Sequence, residues 1–381
     1  MLPAIAGLAS SSLQSVALTL IAHDLRLLSS TLRELNLATS VVETRVGNHV
    51  LLPTPAWPVL RTLNASVSVF RYMNEGSTAP RDAFPQLRSL RLGQRSTKRR
   101  VLAILPALPN LPCITHLTMN NVELPFTQLV HLAASSPHLA HLSILDCAFT
   151  DPAPTTPVRF PTLVKLVTRN NELDRLGSVM IMARLEHLSV DGFSPLSVDP
   201  WLSVSVLTIE TDSAMVGPVR VSGAALDALP RLSSLTLPRL LSEWTDDHVP
   251  VLPHVTSLLA PMHVLSTVQA PKVVHVASPW FTSEYIEFTV PASARSVEIA
   301  VMHVELLAPL SRNANITHLV AREIVGDGEP VDVVTLEFRQ GHPGLAPARA
   351  RQHYDPCPAF EAACVHVVHV VDLRVAVREL T

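Results

Sequence analysis

The sequence predicts an α/β solenoid, a stack of leucine-rich repeats joined through one parallel sheet, and three observations predict it. The first is the line Leu139-Ala140-His141-Leu142-Ser143-Ile144-Leu145-Asp146-Cys147, whose pattern L-x-x-L-x-L-x-x-C recurs along the chain. Anchored on the second leucine-type residue, the copies fall at Val16, Leu35, Leu63, Leu90, Leu117, Leu142, Leu166, Leu188, Leu207, Leu235, Leu258, Val276, Val297, Leu319 and Leu336, with Val368 as a further copy. Steps of 17 to 32 residues between anchors suit stacked units that bury their apolar faces only against their neighbours. The second observation is proline placed just ahead of the strand motif, at Trp57-Pro58, Phe84-Pro85, Leu108-Pro109, Ser136-Pro137, Phe160-Pro161, Leu229-Pro230 and Leu252-Pro253. Proline disfavours helix for the residue before it and donates no backbone hydrogen bond, so it ends one segment and leads the chain into the next strand. The third is composition: 48% hydrophobic and 16% charged residues exclude a disordered chain. Because a solenoid grows along one axis, residues 1–381 are expected to form a single domain.

The elements follow from the repeat. In L-x-x-L-x-L the last two apolar residues lie two apart, so in an extended chain both point to one face and their neighbours to the other. Stacking turns that segment into one strand of a parallel sheet, with an inward ladder of Leu, Ile and Val contributing roughly 1.5–3 kcal/mol per fully buried side chain. The outward residues line a concave face. Convex segments read as short helices in the first half, at Phe126–Ala134, Lys98 to Leu108 and Asp24 to Ser30. Later steps of 17 or 18 residues leave room for little more than a turn, so mostly extended or irregular returns are expected past Leu196. Glycine and proline mark an irregular loop over 340–358, and the alternation of Val365 to Val377 suggests that 359–381 caps the stack.

The segment Leu129-Val130-His131-Leu132-Ala133-Ala134-Ser135-Ser136-Pro137-His138-Leu139-Ala140-His141-Leu142-Ser143-Ile144-Leu145-Asp146-Cys147 resembles the ribonuclease-inhibitor-like leucine-rich repeats of F-box/LRR proteins, and Phe84 to Leu92 and Phe160 to Asn171 look like further copies. The resemblance implies a short helix and a strand in each repeat. It also implies one alternative to a plain protein-binding scaffold, the substrate-recognition subunit of a ubiquitin ligase that docks an adaptor through an F-box. No F-box is recognisable between Met1-Leu2-Pro3 and the first repeat.

Chemistry-bearing residues are sparse. The sequence contains no phosphate-binding glycine loop, nucleophile elbow or paired-carboxylate arrangement, and the outward strand slots hold mostly Ser, Thr and Asn, so no enzyme and no cofactor is predicted. His353, Cys357, Cys364, His366 and His369 are the densest set of potential zinc ligands, but their spacing matches no common pattern and no metal is predicted. The cysteines Cys113, Cys147, Cys357 and Cys364 lack the paired clusters of secreted repeat proteins and read as reduced thiols. Met1 to Ser12 lacks a basic leader, and no run is long enough to cross a bilayer. The expected location is cytoplasmic or nuclear. A net charge of −3 gives no overall footprint for nucleic acid or a membrane surface, although Arg95-Ser96-Thr97-Lys98-Arg99-Arg100 is a local basic run. Trp57 is expected in the core and Trp280-Phe281 in a loop. Charge and histidine concentrate on the outward slots of the middle repeats, which makes His116, His141, Lys165, Arg169, His187, Asp191 and Glu210 the predicted binding residues, with another protein as partner.

Overall fold

The computed structural model describes residues 15–17, 32–37, 57–75, 83–93, 102–169, 173–210, 219–239, 241, 244–278, 291–303, 315–316, 318–325 and 331–337. The predicted helix at Asp24 to Ser30, the run Arg95–Arg100, Trp280-Phe281, the loop 340–358, the cap 359–381 with Val368, and the cluster from His353 to His369 lie outside the described residues. The chain groups into two compact units, the first made of Met1–Asp191 with Pro195–Val204 and the second of Gly192–Ser194 with Ser205–Thr381.

Each unit is a leucine-rich-repeat stack, an α/β solenoid segment whose strands are in register on the predicted anchors. In the first unit Val16 pairs with Leu35, Leu35 with Leu63, and the series runs through Leu90, Leu117, Leu142 and Leu166 to Leu188, all parallel. In the second, Leu207, Leu235, Leu258, Val276, Val297 and Leu319 follow in the same parallel register. Leu336 departs from the expected all-parallel arrangement. Its strand Val331–Glu337 runs antiparallel to His318–Val325, with Leu336 opposite Leu319. Five residues of sequence, 326–330, separate the two strands, too few for the crossover that a parallel partner needs.

The repeat period is set by two recurring backbone devices. One carbonyl per repeat accepts two successive amides from the next repeat: Arg61 and Thr62 donate to Arg33, Arg88 and Ser89 to Arg61, Thr115 and His116 to Arg88, Ala140 and His141 to Thr115, at 2.7–3.1 Å. The same pattern holds in the second unit, from Ser233 and Ser234 on Ser205 to Arg295 and Ser296 on Val274. The second device is the turn that leads into each strand, where Leu60 donates to Trp57, Leu87 to Phe84, Leu139 to Ser136, Leu163 to Phe160 and Leu232 to Leu229. Proline occupies the second position of each of these turns, where its fixed φ is already correct. In the Leu117 repeat the turn bond joins Ile114 to Leu111, so Pro112 and not the predicted Pro109 leads into the strand. The residue ahead of the proline is core in every such turn: Trp57 is 1% exposed, Phe84 0% and Phe160 2%.

Between strands the chain returns by helix where it has room and by extended backbone elsewhere. The first unit holds the helices Val67–Glu75, Phe126–Ser135 and Leu173–Val179. Among the described residues the second holds Gly223–Asp227 and Met262–Leu265, the latter a single turn fitted into the 18-residue step from Leu258 to Val276. The expected helix from Lys98 to Leu108 is not formed in its described part. Ala103–Ile104 is a short strand beside Val122–Leu124, which in turn pairs with Ala148–Phe149. Pro106 and Pro109 explain this, since each denies helix to the residue before it, and Leu105 donates instead to Glu123 at 3.1 Å. Asn121 and Asp146, each four residues past its anchor, take positive φ of 57° and 52°, and Asn121 donates to Leu145 at 2.9 Å. Asn and Asp tolerate this left-handed corner better than other side chains. Cys147 then fills the small slot of the motif at 5% exposure, with its thiol against the carbonyls of Leu145 and Met119, and burial pushes its pKa up to about 11.

Aspartates from one repeat close the helices of the repeat before it. Asp151 accepts from the backbone of Phe126 and Thr127, and Asp246 accepts from Gly223 and Ala224 at 3.0 Å each. A carboxylate is favoured there by unpaired amides and the helix dipole. Farther out, Phe126 stacks on Phe149 with ring centroids 4.3 Å apart, and the Arg175 guanidinium lies 5.0 Å and 5.4 Å from the two centroids, which ties three repeats together.

Among the described residues the inward ladder has two polar rungs. Thr168 and Ser278, each two residues past its anchor, are 1% exposed, and neither hydroxyl has a hydrogen-bond partner among the described residues. An unsatisfied buried hydroxyl costs roughly 1–3 kcal/mol. Replacing Thr168 by Val keeps the shape and removes the orphan, so Thr168→Val is expected to raise stability by about 1 kcal/mol in urea denaturation. A destabilised Thr168→Val protein would mean that the hydroxyl is satisfied.

Candidate functional site

The open face of the first unit brings four of the predicted residues together. His116, His141, Lys165 and His187 are the first residues of adjacent strands and are mutual register partners. His116, Lys165 and His187 are exposed and His141 is half-buried. Adjacent strands lie about 4.8 Å apart, and the imidazoles of His116 and His141 accordingly stack, with ring centroids 4.2 Å apart at 11°. The Thr115 hydroxyl donates its proton to the Arg88 carbonyl at 3.0 Å and therefore accepts from Nδ1 of His116 at 2.9 Å. That places the proton of neutral His116 on Nδ1 and the lone pair on Nε2.

Burial, and then electrostatic repulsion from the neighbouring groups His116, Lys165 and His187, lower the pKa of His141 below its ordinary value of 6.5. A base whose pKa is depressed by folding binds fewer protons folded than unfolded as pH falls through 6.5, so stability drops on acidification across that window. Replacing His141 by Gln should flatten the dependence. The check is the difference in urea midpoint between pH 7.5 and pH 5.5; equal differences for His141→Gln and the wild type would show that the stack does not resist protonation.

The remaining predicted residues are placed otherwise. Arg169 is half-buried, three residues past Leu166, with its backbone amide on the Ile144 carbonyl at 3.2 Å. Asp191 was expected on the outward face but is buried, at 8% exposure. The strand has ended by then, and Asp191 sits in the bend that follows His187–Val190, where alternation no longer fixes a face. Glu210 is exposed at the end of Val206–Ile209 in the second unit.

Sequence reading missed one constellation, in the second unit. Ser222, Asp227, Asp246 and His248 come together around the helix Gly223–Asp227. The Ser222 hydroxyl donates to Asp246 at 2.7 Å and accepts from the Ala225 amide at 3.1 Å, while His248 Nε2 pairs with Asp227 at 2.7 Å. Burial pulls the Asp246 carboxyl upward, but bonds from the Ser222 hydroxyl and the amides of Ala224, Gly223 and His248 hold it at about 2. The residue types suggest acyl-transfer chemistry; the bonds do not. The histidine meets a different carboxylate and not the serine, and the bonds that Ser222 and Asp246 accept from backbone amides cap the helix start and a turn. No group of three or more His, Cys, Asp or Glu side chains among the described residues has the geometry to hold a metal ion. No described helix is long and apolar enough to cross a membrane.

No family model matches this sequence, and no curated protein matches it. Among solved structures, the chain is similar to an internalin from Listeria monocytogenes, at 13% sequence identity and a TM-score of 0.35, over 83% of this chain and 80% of that one.

Proposed function

We propose that this protein is a non-catalytic scaffold that binds another protein on the open face of the first unit's sheet. The observation that carries the reading is the row His116, His141, Lys165 and His187, four polar side chains, three of them exposed, held in register on adjacent strands. Strands fixed by their neighbours on both sides present side chains at constant spacing, so a polypeptide is gripped at little ordering cost to the scaffold. Arg169 extends this surface, and Glu210 offers a separate contact on the second unit.

The test compares proteins retained by the immobilised wild-type chain with those retained by a His116→Ala, Lys165→Ala, His187→Ala variant. These side chains are exposed, so the variant should melt like the wild type. The expected result is loss of a defined set of bound proteins, and an unchanged set on a folded variant would exclude this face. Recovery of a ubiquitin-ligase adaptor in the wild-type set would mark the chain as a substrate-recognition subunit; its absence favours the plain scaffold.

A further inference from the structure

The first unit carries a second row of charge beside the first. Leu32-Arg33-Glu34-Leu35, Leu60-Arg61-Thr62-Leu63 and Leu87-Arg88-Ser89-Leu90 are three successive repeats of L-R-x-L. The structure makes their arginines consecutive rungs, because the Arg61 amide donates to the Arg33 carbonyl at 2.7 Å and the Arg88 amide to the Arg61 carbonyl at 2.8 Å. All three are exposed, and so is Arg91, which lies in register between Asn64 and Thr118. The next rung after Arg88 is Thr115, whose neighbour His116 begins the row described above.

Arg33, Arg61, Arg88, Arg91 and Lys165 form no ion pair among the described residues. Two carboxylates share these slots, Glu34 beside Arg33 and Glu186 beside His187, and they stand at the two ends of the surface and not between the basic groups. Like charges on adjacent rungs repel one another, so the arrangement is unfavourable in the free protein and is relieved by an anionic occupant. It also runs against the chain as a whole, whose net charge is −3.

We infer that the open face and its leading edge in the first unit bind an acidic polypeptide segment, with Arg33, Arg61, Arg88 and Arg91 pairing with its carboxylates. This rests on the protein-binding reading and adds the chemistry of the partner. Guanidinium forks suit carboxylates in two-point contacts. A single-stranded nucleic acid offers the same sign of charge, but it is held by aromatic side chains on which bases stack, and none of the outward residues from Thr62 to Ser189 on these strands is aromatic except the two stacked imidazoles and His187. Acidic polypeptide is therefore the favoured occupant.

The experiment titrates the full chain into fluorescein-labelled decaglutamate, decaglutamine and a thymidine decanucleotide at low ionic strength, read by fluorescence anisotropy. Decaglutamate should bind best, lose affinity as salt is added, and bind the Arg33→Gln, Arg61→Gln, Arg88→Gln variant about tenfold more weakly. Equal affinity of this variant and the wild type for decaglutamate overturns the inference, as does preference for the oligonucleotide or for decaglutamine. Melting curves establish that the variant is folded. The same variant is then carried through the retention assay. If it keeps the bound proteins that the His116, Lys165 and His187 variant loses, the open face binds protein but its occupant is not acidic; if neither variant loses any, both readings fail.

Discussion

Replacing Leu142 by Ala is expected to destabilise the first unit by about 2–5 kcal/mol. Leu142 is 0% exposed and pairs in register with Leu117 on one side and Leu166 on the other, so no solvent-facing space exists into which the cavity can collapse. For a unit of this size each kcal/mol lowers the melting temperature by about 2–4 °C. The loss should be local in origin and spread by neighbours, because the stability of a repeat stack is a sum of repeat terms and nearest-neighbour interfaces. Hydrogen exchange should therefore accelerate most in His116–Asn120, His141–Leu145 and Lys165–Thr168, and least in the strands of the second unit. Leu145 supplies the internal control: it ends the same strand but is half-buried on the open face, and Leu145→Ala should cost clearly less. Equal costs for the two substitutions would mean that the assigned alternation is wrong.

That alternation was legible because it depends on a single local rule. Leucine-type residues two apart must share a face of an extended chain, and every anchor from Leu35 to Val297 is at most 2% exposed. What lay outside the rule was not legible. Apolar spacing between Lys98 and Leu108 suggested a helix, but Pro106 and Pro109 outweigh apolar spacing, and a neighbouring extended segment was available to pair with. Asp191 was assigned to the open face by counting past the end of its strand, where the period no longer applies. The strand of Leu336 carried the right anchor and still ran the other way, since an anchor specifies a face and not a direction. Of the candidate surface, the histidine and lysine row was readable from the slot before each anchor. The arginine rungs were equally visible as L-R-x-L, yet their meaning required the backbone bonds that place Arg33, Arg61 and Arg88 side by side. The capping group around Ser222 had no signal at all, because its members come from separate turns that only packing unites.

Gly223 gives the strongest test of that packing. It opens the helix Gly223–Asp227, a place where Ala would ordinarily stabilise by about 1 kcal/mol relative to Gly. Here the sign should reverse. The segment from Asp246 to Val251 folds against the helix: Asp246 holds the amides of Gly223 and Ala224, Asp227 holds the Val251 amide at 2.5 Å, and His248 pairs with Asp227. These bonds draw the His248 carbonyl so close that a Cβ on residue 223 would lie 1.8 Å from its oxygen and 2.8 Å from its carbon. Both are backbone atoms, so no side-chain rotation relieves the clash, and the segment must move away and surrender the caps. Gly223→Ala is therefore expected to cost about 3 kcal/mol or more, with loss of exchange protection centred on Gly223–Asp227. Ala224→Gly, at an exposed position one residue on, should cost only about 1 kcal/mol through helix propensity. A Gly223→Ala protein as stable as the wild type would show that the Asp246–Val251 segment does not pack on the helix, and the capping roles of Asp246 and Asp227 would fall with it.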